Sequence, residues 1–216
     1  FDSTGDLASG TLTAAGSATI NTRADADLGT MTAESINATV AGTVEATSLT
    51  ATGGEIVINS GGTLTNAVAT ATGNAQFTSD ADASIGTVMA NDVVATTGAG
   101  LTAGAITAAG AVNFDAVGDV DATTVTAVGD AQIDSDGSIV LTTLAGANLN
   151  VSADGTLMSG TITATGDANL DADGAITSAD LAATGDATVE TRDALTIGTI
   201  DAVDVRIVSG QDMTSG

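Results

Sequence analysis

The chain has 216 residues and a formal net charge of -24, with no Pro, Cys, Trp, Tyr or His. Its only basic residues are Arg23, Arg192 and Arg206; this excludes the basic patch that phosphate binding requires and disfavours anionic membrane surfaces. The apolar fraction of 43% is mostly Ala, Val, Ile and Leu, so any core is thin, and the abundance of Thr, Val and Ile argues for strands rather than disorder.

Taken in chain order, the residues form a repeat. Phe1–Ala15 reads FDSTGDLASGTLTAA and matches the stretch from Phe114 to Val128 position for position. From Gly16 comes GSATINTRADADLGTMTA, which superposes without a gap on segments beginning at Gly73, Gly129 and Gly185. Their starts lie roughly 56 residues apart, within the range of repeat arrays. A related segment begins at Glu34 and recurs at Asn91 and Ala147. A third begins at Gly53 and recurs at Gly110 and Gly166. The three sets resemble one another, so the long period contains three units of about 19 residues.

Each unit has the same grammar. A Gly or polar residue opens it. Two alternating apolar positions follow, as in Ala131 and Ile133, Leu149 and Val151, or Ala168 and Leu170. A turn comes next, such as Asp136-Gly137, Asp154-Gly155 or Asp173-Gly174. Another apolar residue appears (Ile139, Leu157, Ile176), and a last one closes the unit (Leu12, Leu49, Val125, Ile162, Ile200). Period-two alternation between Gly and Asp turns signals strands. Helices are excluded by the recurrence of Gly, Thr and Asp and by the lack of a sustained three-and-four spacing.

A unit this short buries its apolar face only by stacking on copies of itself. The sequence therefore predicts an all-β fold, a right-handed parallel β-helix, with two or three short strands per coil. Ten complete coils and partial coils at each end, spaced about 4.8 Å, give a rod roughly 50–55 Å long. Ala131, Ile133, Ile139 and Leu144 are expected to point inward and Asp134 and Asp136 outward. Phe1, Phe77 and Phe114 are expected to share one inward column, and the Gly openers to permit positive φ at corners. Residues 1–216 read as one solenoid segment without capping repeats, expected to continue covalently or to stack on other copies.

The segments LTAAGSATIN, ITAAGAVNFD, VTAVGDAQID and ITATGDANLD resemble the repeats of filamentous haemagglutinin-like proteins, the large exoproteins of bacterial two-partner secretion. The resemblance covers nearly the whole chain. It implies a right-handed parallel β-helix, export to the bacterial surface or beyond, and an adhesive or matrix role. Host-cell, surface or matrix glycans and proteins would be the partners. Surface-layer proteins and autotransporter stalks built from Gly, Ala, Thr and Asp read similarly.

The residues themselves offer little for catalysis. Without His, Cys or Lys, the common bases, nucleophiles and transition-metal ligands are missing. Carboxylate pairs, as in glycosidases, are the one remaining route. No catalytic, cofactor or metal-binding set is assigned, and the reading is not an enzyme; a polysaccharide-active β-helix enzyme is the rival. Asp134 and Asp136 occupy places equivalent to Asp171 and Asp173, with Asp154 aligned on Asp136 and Asp173. Weak structural calcium between stacked turns is one reading of these oxygens; the other is turn formation and solubility. The triplets Thr11-Leu12-Thr13, Thr30-Met31-Thr32, Thr124-Val125-Thr126 and Thr161-Ile162-Thr163 share one register, predicting outward Thr ladders around a buried middle residue. Such ladders suit an ice-binding face, and equivalent coils are expected to break them at Ala67, Ala69, Met89, Ala105, Asp180 and Asp201. No nucleic-acid partner is expected, and no apolar run approaches the roughly 20 residues of a membrane-spanning helix.

Overall fold

The computed structural model describes residues 1–215. Their 26 strands form two parallel sheets, of 12 and 14 strands. Together they make a β-solenoid of about 11 turns with about 19 residues per turn. The expected fold class is what the chain adopts.

Most coils give one five-residue strand to the first sheet, such as Ala131–Ser135, and one eight-residue strand to the second, such as Ile139–Gly146. The short strand alternates strictly, because successive Cβ atoms point to opposite faces. Ala131, Ile133 and Ser135 are buried; Gln132 and Asp134 are exposed. The long strand alternates only up to its middle, where Thr142 and Thr143 both point out. The pairing register skips the same place, running from Leu141↔Ser159 directly to Thr143↔Thr161. The long strand is thus bent into a leading arm of three residues and a trailing arm of four. In the second coil the arms are separate strands, Ala26–Asp27 and Thr30–Ala33. Gly29 sits between them at φ 51°, a left-handed conformation that costs glycine little. The cross-section is therefore three-sided: a short-strand face, a leading-arm face and a trailing-arm face.

The core is thin, as the small side chains require. Ile133, Ile139 and Leu144 are 0% exposed and Ala131 1%. One inward column runs through Phe77, Ala95, Phe114 and Ile133 in consecutive coils, with both Phe rings buried. Phe1 precedes Asp2, which pairs with Asn21, so it lies in the same column but is 65% exposed. It was expected in the core; among the described residues only the coil of Ile20 stacks against it. Coils with Phe in the short strand close on Val88 or Val125, whereas coils with Ala38 or Ala95 there close on Leu49 or Ile106. Bulk on one wall is offset by economy on the other, as close packing requires.

The corner glycines correct the sequence reading. Among the described residues only Gly29 has positive φ; the unit-opening glycines do not. Most of them are required by close approach between coils, although nothing lies within 4 Å of a Cβ at Gly16. A Cβ on Gly73 would lie 2.8 Å from the Gly54 carbonyl oxygen, and one on Gly129 3.0 Å from that of Gly110.

The 56-residue period has a physical seat at the corner leading into the short strand. Three residues turn it in most coils, for example Val128-Gly129-Asp130 between the strands ending at Ala127 and starting at Ala131. Every third coil uses two: Glu34-Ser35, Asn91-Asp92 and Ala147-Asn148. One coil uses four, Thr52-Gly53-Gly54-Glu55. The extra residue displaces the Gly53 segment by one against its Gly110 and Gly166 counterparts, so Gly54, not Gly53, stacks on Gly73 at 2.8 Å (N to O).

Candidate functional site

The acidic turns lie where the sequence placed them, and their job is partly structural. Asp136, Asp154 and Asp173 stack at one corner: their amides donate in turn to the carbonyls of Ala116, Ser135 and Ala153. Asp173 is also paired with Arg192. On the short-strand face, Asp115↔Asp134 are direct neighbours, Ser152 intervenes, and Asp171↔Glu190 follow. Glu190 is paired with Arg206. Among the described residues no three carboxylates converge as a metal cage.

A second set of acids was not singled out from the sequence. These are the Asp and Asn immediately before a strand, which hold the next coil by its backbone. The Asp92 carboxylate accepts from Ala111 N–H at 2.8 Å, and that of Asp130 from Asn148 N–H at 3.1 Å. Asn148 Oδ1 accepts from Asp167 N–H at 3.0 Å, and Asp167 from Asp186 N–H at 2.8 Å. At the opposite corner Asp25, Asp82 and Asp119 accept from Thr43, Gly100 and Ser138 at 2.7–2.9 Å. Carboxylate-to-amide bonds of this kind are the stronger class. The available signal was the recurrence of Asp or Asn one residue before the first inward residue of many of the strands. Inside, hydroxyls at the end of the short strand satisfy turn carbonyls: Ser79 Oγ donates to Gly62 O at 2.7 Å and Ser135 Oγ to Gly118 O at 2.8 Å.

The trailing arm forms the Thr ladder. One outward row includes Thr11, Thr30, Ser48, Val68, Thr87, Ala105, Thr124, Thr143 and Thr161. The parallel row includes Thr13, Thr32, Thr50, Thr70, Met89, Thr107, Thr126, Ala145 and Thr163. The middle residues Met31, Val125 and Ile162 are 0% exposed, as expected; Leu12, expected to be buried too, is only half-buried in the first described coil. Met89, Ala105, Asp180 and Asp201 interrupt the rows, but two expected breaks fall elsewhere. Ala69 is the buried middle residue at 0% exposure, and Ala67 sits at the bend. The ladder positions of that coil are Val68 and Thr70, because the four-residue corner shifts its register by one.

No charged residue occupies either row from Thr11 to Thr163. Of the 27 Asp and Glu, only Asp180 and Asp201 stand on this face, both in the following coils. Within the uncharged stretch Val68 is 41% and Met89 53% exposed. Beside Met89 runs an open groove of about 450 Å³ lined by Thr70, Ala90, Thr107, Ala109 and Val128.

No family model, no curated protein and no solved structure matches this chain.

Proposed function

We propose that the chain is a structural and adhesive rod, secreted or displayed on the bacterial cell surface, of the kind that filamentous haemagglutinin-like exoproteins provide. The observation that carries this reading is the uniformity of the coil. Successive coils differ by one or two residues in length, from 18 between Ile20 and Ala38 to 20 between Ala38 and Ile58, and the variation stays within one corner. A solenoid that carries chemistry needs a site, not only a fold, and a site on a smooth wall needs inserted loops or a cleft. The repeated segments quoted above support the resemblance to the haemagglutinin-like family.

The test is binding of the purified segment to immobilised glycans, matrix proteins and intact cells. Saturable binding without chemical change of the ligand is the expected result. Polysaccharide cleavage that disappears when Asp134 and Asp171 are replaced by Asn would overturn it in favour of the enzyme. A second reading, an ice-binding solenoid, is favoured by the uncharged Thr rows and would show as inhibition of ice recrystallisation.

A further inference from the structure

We infer that the trailing-arm face is a self-association surface, on which two copies of this rod dock antiparallel about a two-fold axis through the coil of Thr87 and Met89. The inference does not depend on whether the rod adheres to anything else.

Electrostatics selects the face. With a charge of -24 per copy, two rods repel at close range. The short-strand face is uncharged only over the five coils from Thr19 to Thr96 and carries Asp115, Asp134, Asp171 and Glu190 beyond them; the leading arm carries Asp27, Glu45 and Asp121, and the corners hold most of the other acids. The trailing arm is the wall along which nine consecutive coils oppose no charge to no charge. Nine coils at ~4.8 Å and a four-residue arm at ~3.3 Å per residue give roughly 560 Å² per copy, or about 1,100 Å² in all. That clears the roughly 1,000 Å² of a specific but weak interface.

The same rows favour a protein partner over a crystalline one. Val68, Met89, Ala105 and Ala145 interrupt a hydroxyl lattice, but they supply apolar contact to a partner of matching shape. An isologous contact makes the two patches identical. Thr87 and Met89 are the fifth of the nine uncharged coils among the described residues, so an antiparallel overlap of those nine coils pivots there. Met89 then meets its own copy, and Val68 of the fourth coil meets Ala105 of the sixth. Asp180 and Asp201 follow those nine coils and take no part in their overlap. A parallel pairing instead brings each of these Asp to the same coil level as its own copy, at a cost in like-charge repulsion.

The chain has no Cys, so engineered single cysteines give a clean readout. Met89→Cys is expected to form a disulfide-linked dimer at least about tenfold faster than Thr102→Cys on the leading arm, by proximity alone. Thr30→Cys and Thr143→Cys are expected to cross-link with each other when mixed, and poorly with themselves. Sedimentation of the unmodified chain should show a monomer–dimer equilibrium that strengthens with salt as repulsion is screened. Ala105→Asp should weaken it at least about tenfold while leaving the circular-dichroism spectrum unchanged. Asp180 already occupies that row, so loss of fold is not the expected cause. Three results overturn the proposal: a monomer at all salt concentrations with Met89→Cys no faster than Thr102→Cys; association that Ala105→Asp leaves intact, which assigns it to another face; or a monomer whose ice-recrystallisation inhibition is abolished by Ala105→Asp, which assigns the face to ice. Self-linking of Thr30→Cys overturns the antiparallel arrangement.

Discussion

Asn66 stands in an inward column with Ala46, Ile85, Ala103, Ala122 and Leu141. It is 2% exposed, and neither its amide nitrogen nor its carbonyl oxygen has a partner. Ser159 and Ser178, adjacent to each other further along the column, have unpartnered hydroxyls too. An unpaired buried amide costs about 1–3 kcal/mol, whereas an apolar replacement of suitable size removes that cost. Ala fits this column in three other coils. Asn66→Ala is therefore expected to raise stability by about 1 kcal/mol, after allowance for the small void it leaves. The denaturant midpoint measures it; a lower midpoint would mean that a buried water satisfies the amide. This residue was not legible from its neighbours. The alternation marks position 66 as inward, but polarity at an inward position is visible only once the register is known. Phe77 and Phe114, by contrast, were legible as core because bulky apolar residues at an alternating position have little other use in so thin a rod.

At the scale of the strand and its corner, length matters more in one place than in the other. The corner before the short strand already takes two, three or four residues, so its backbone adapts while the flanking strands keep register. A Gly inserted between Ala147 and Asn148 restores the three-residue form used by most coils, and its expected cost is below about 1 kcal/mol. The same insertion between Ile133 and Asp134 reverses the facing of the rest of that strand, because the side-chain period is two. Asp134 would turn inward and Ser135 outward. An unpaired buried carboxylate places this change among the most damaging, at about 4 kcal/mol or more. Thermal melting of the two insertion variants compares them directly, and similar melting temperatures would refute the argument. The strands, turns and stacking were legible in the sequence because alternation and Asp-Gly pairs report them locally. The bend of the long strand was not. It lies where two outward residues follow one another, and a sequence of Thr, Ala and Gly does not separate outward from inward there. The one-residue slip at Val68 has the same origin: Gly53-Gly54 supplies two equally good openers, and only stacking on Gly73 chooses between them.

For the whole rod, the net charge was plain from composition, but its distribution was not. Most of the acids sit at corners, where stacking repeats them at about 4.8 Å from coil to coil. Asp154 is the middle of such a stack. It is exposed between Asp136 and Asp173, and only Asp173 has a cationic partner. Each like-charged neighbour at this distance costs on the order of 1 kcal/mol or less in water. The sum over the rod is reduced as salt shortens the screening length from about 30 Å at 0.01 M to about 3 Å at 1 M. Stability is therefore expected to rise with ionic strength, and the melting temperature with it. Asp154→Asn removes the central charge and keeps the size of the side chain. It should stabilise the rod by several tenths of a kcal/mol in 0.01 M salt, on the order of a screened surface pair, and by almost nothing in 1 M. Melting curves of both chains at the two salt concentrations decide the matter. A stabilisation by Asp154→Asn that is equal in low and high salt would show that packing or hydrogen bonding at this corner, rather than repulsion between stacked carboxylates, sets its stability.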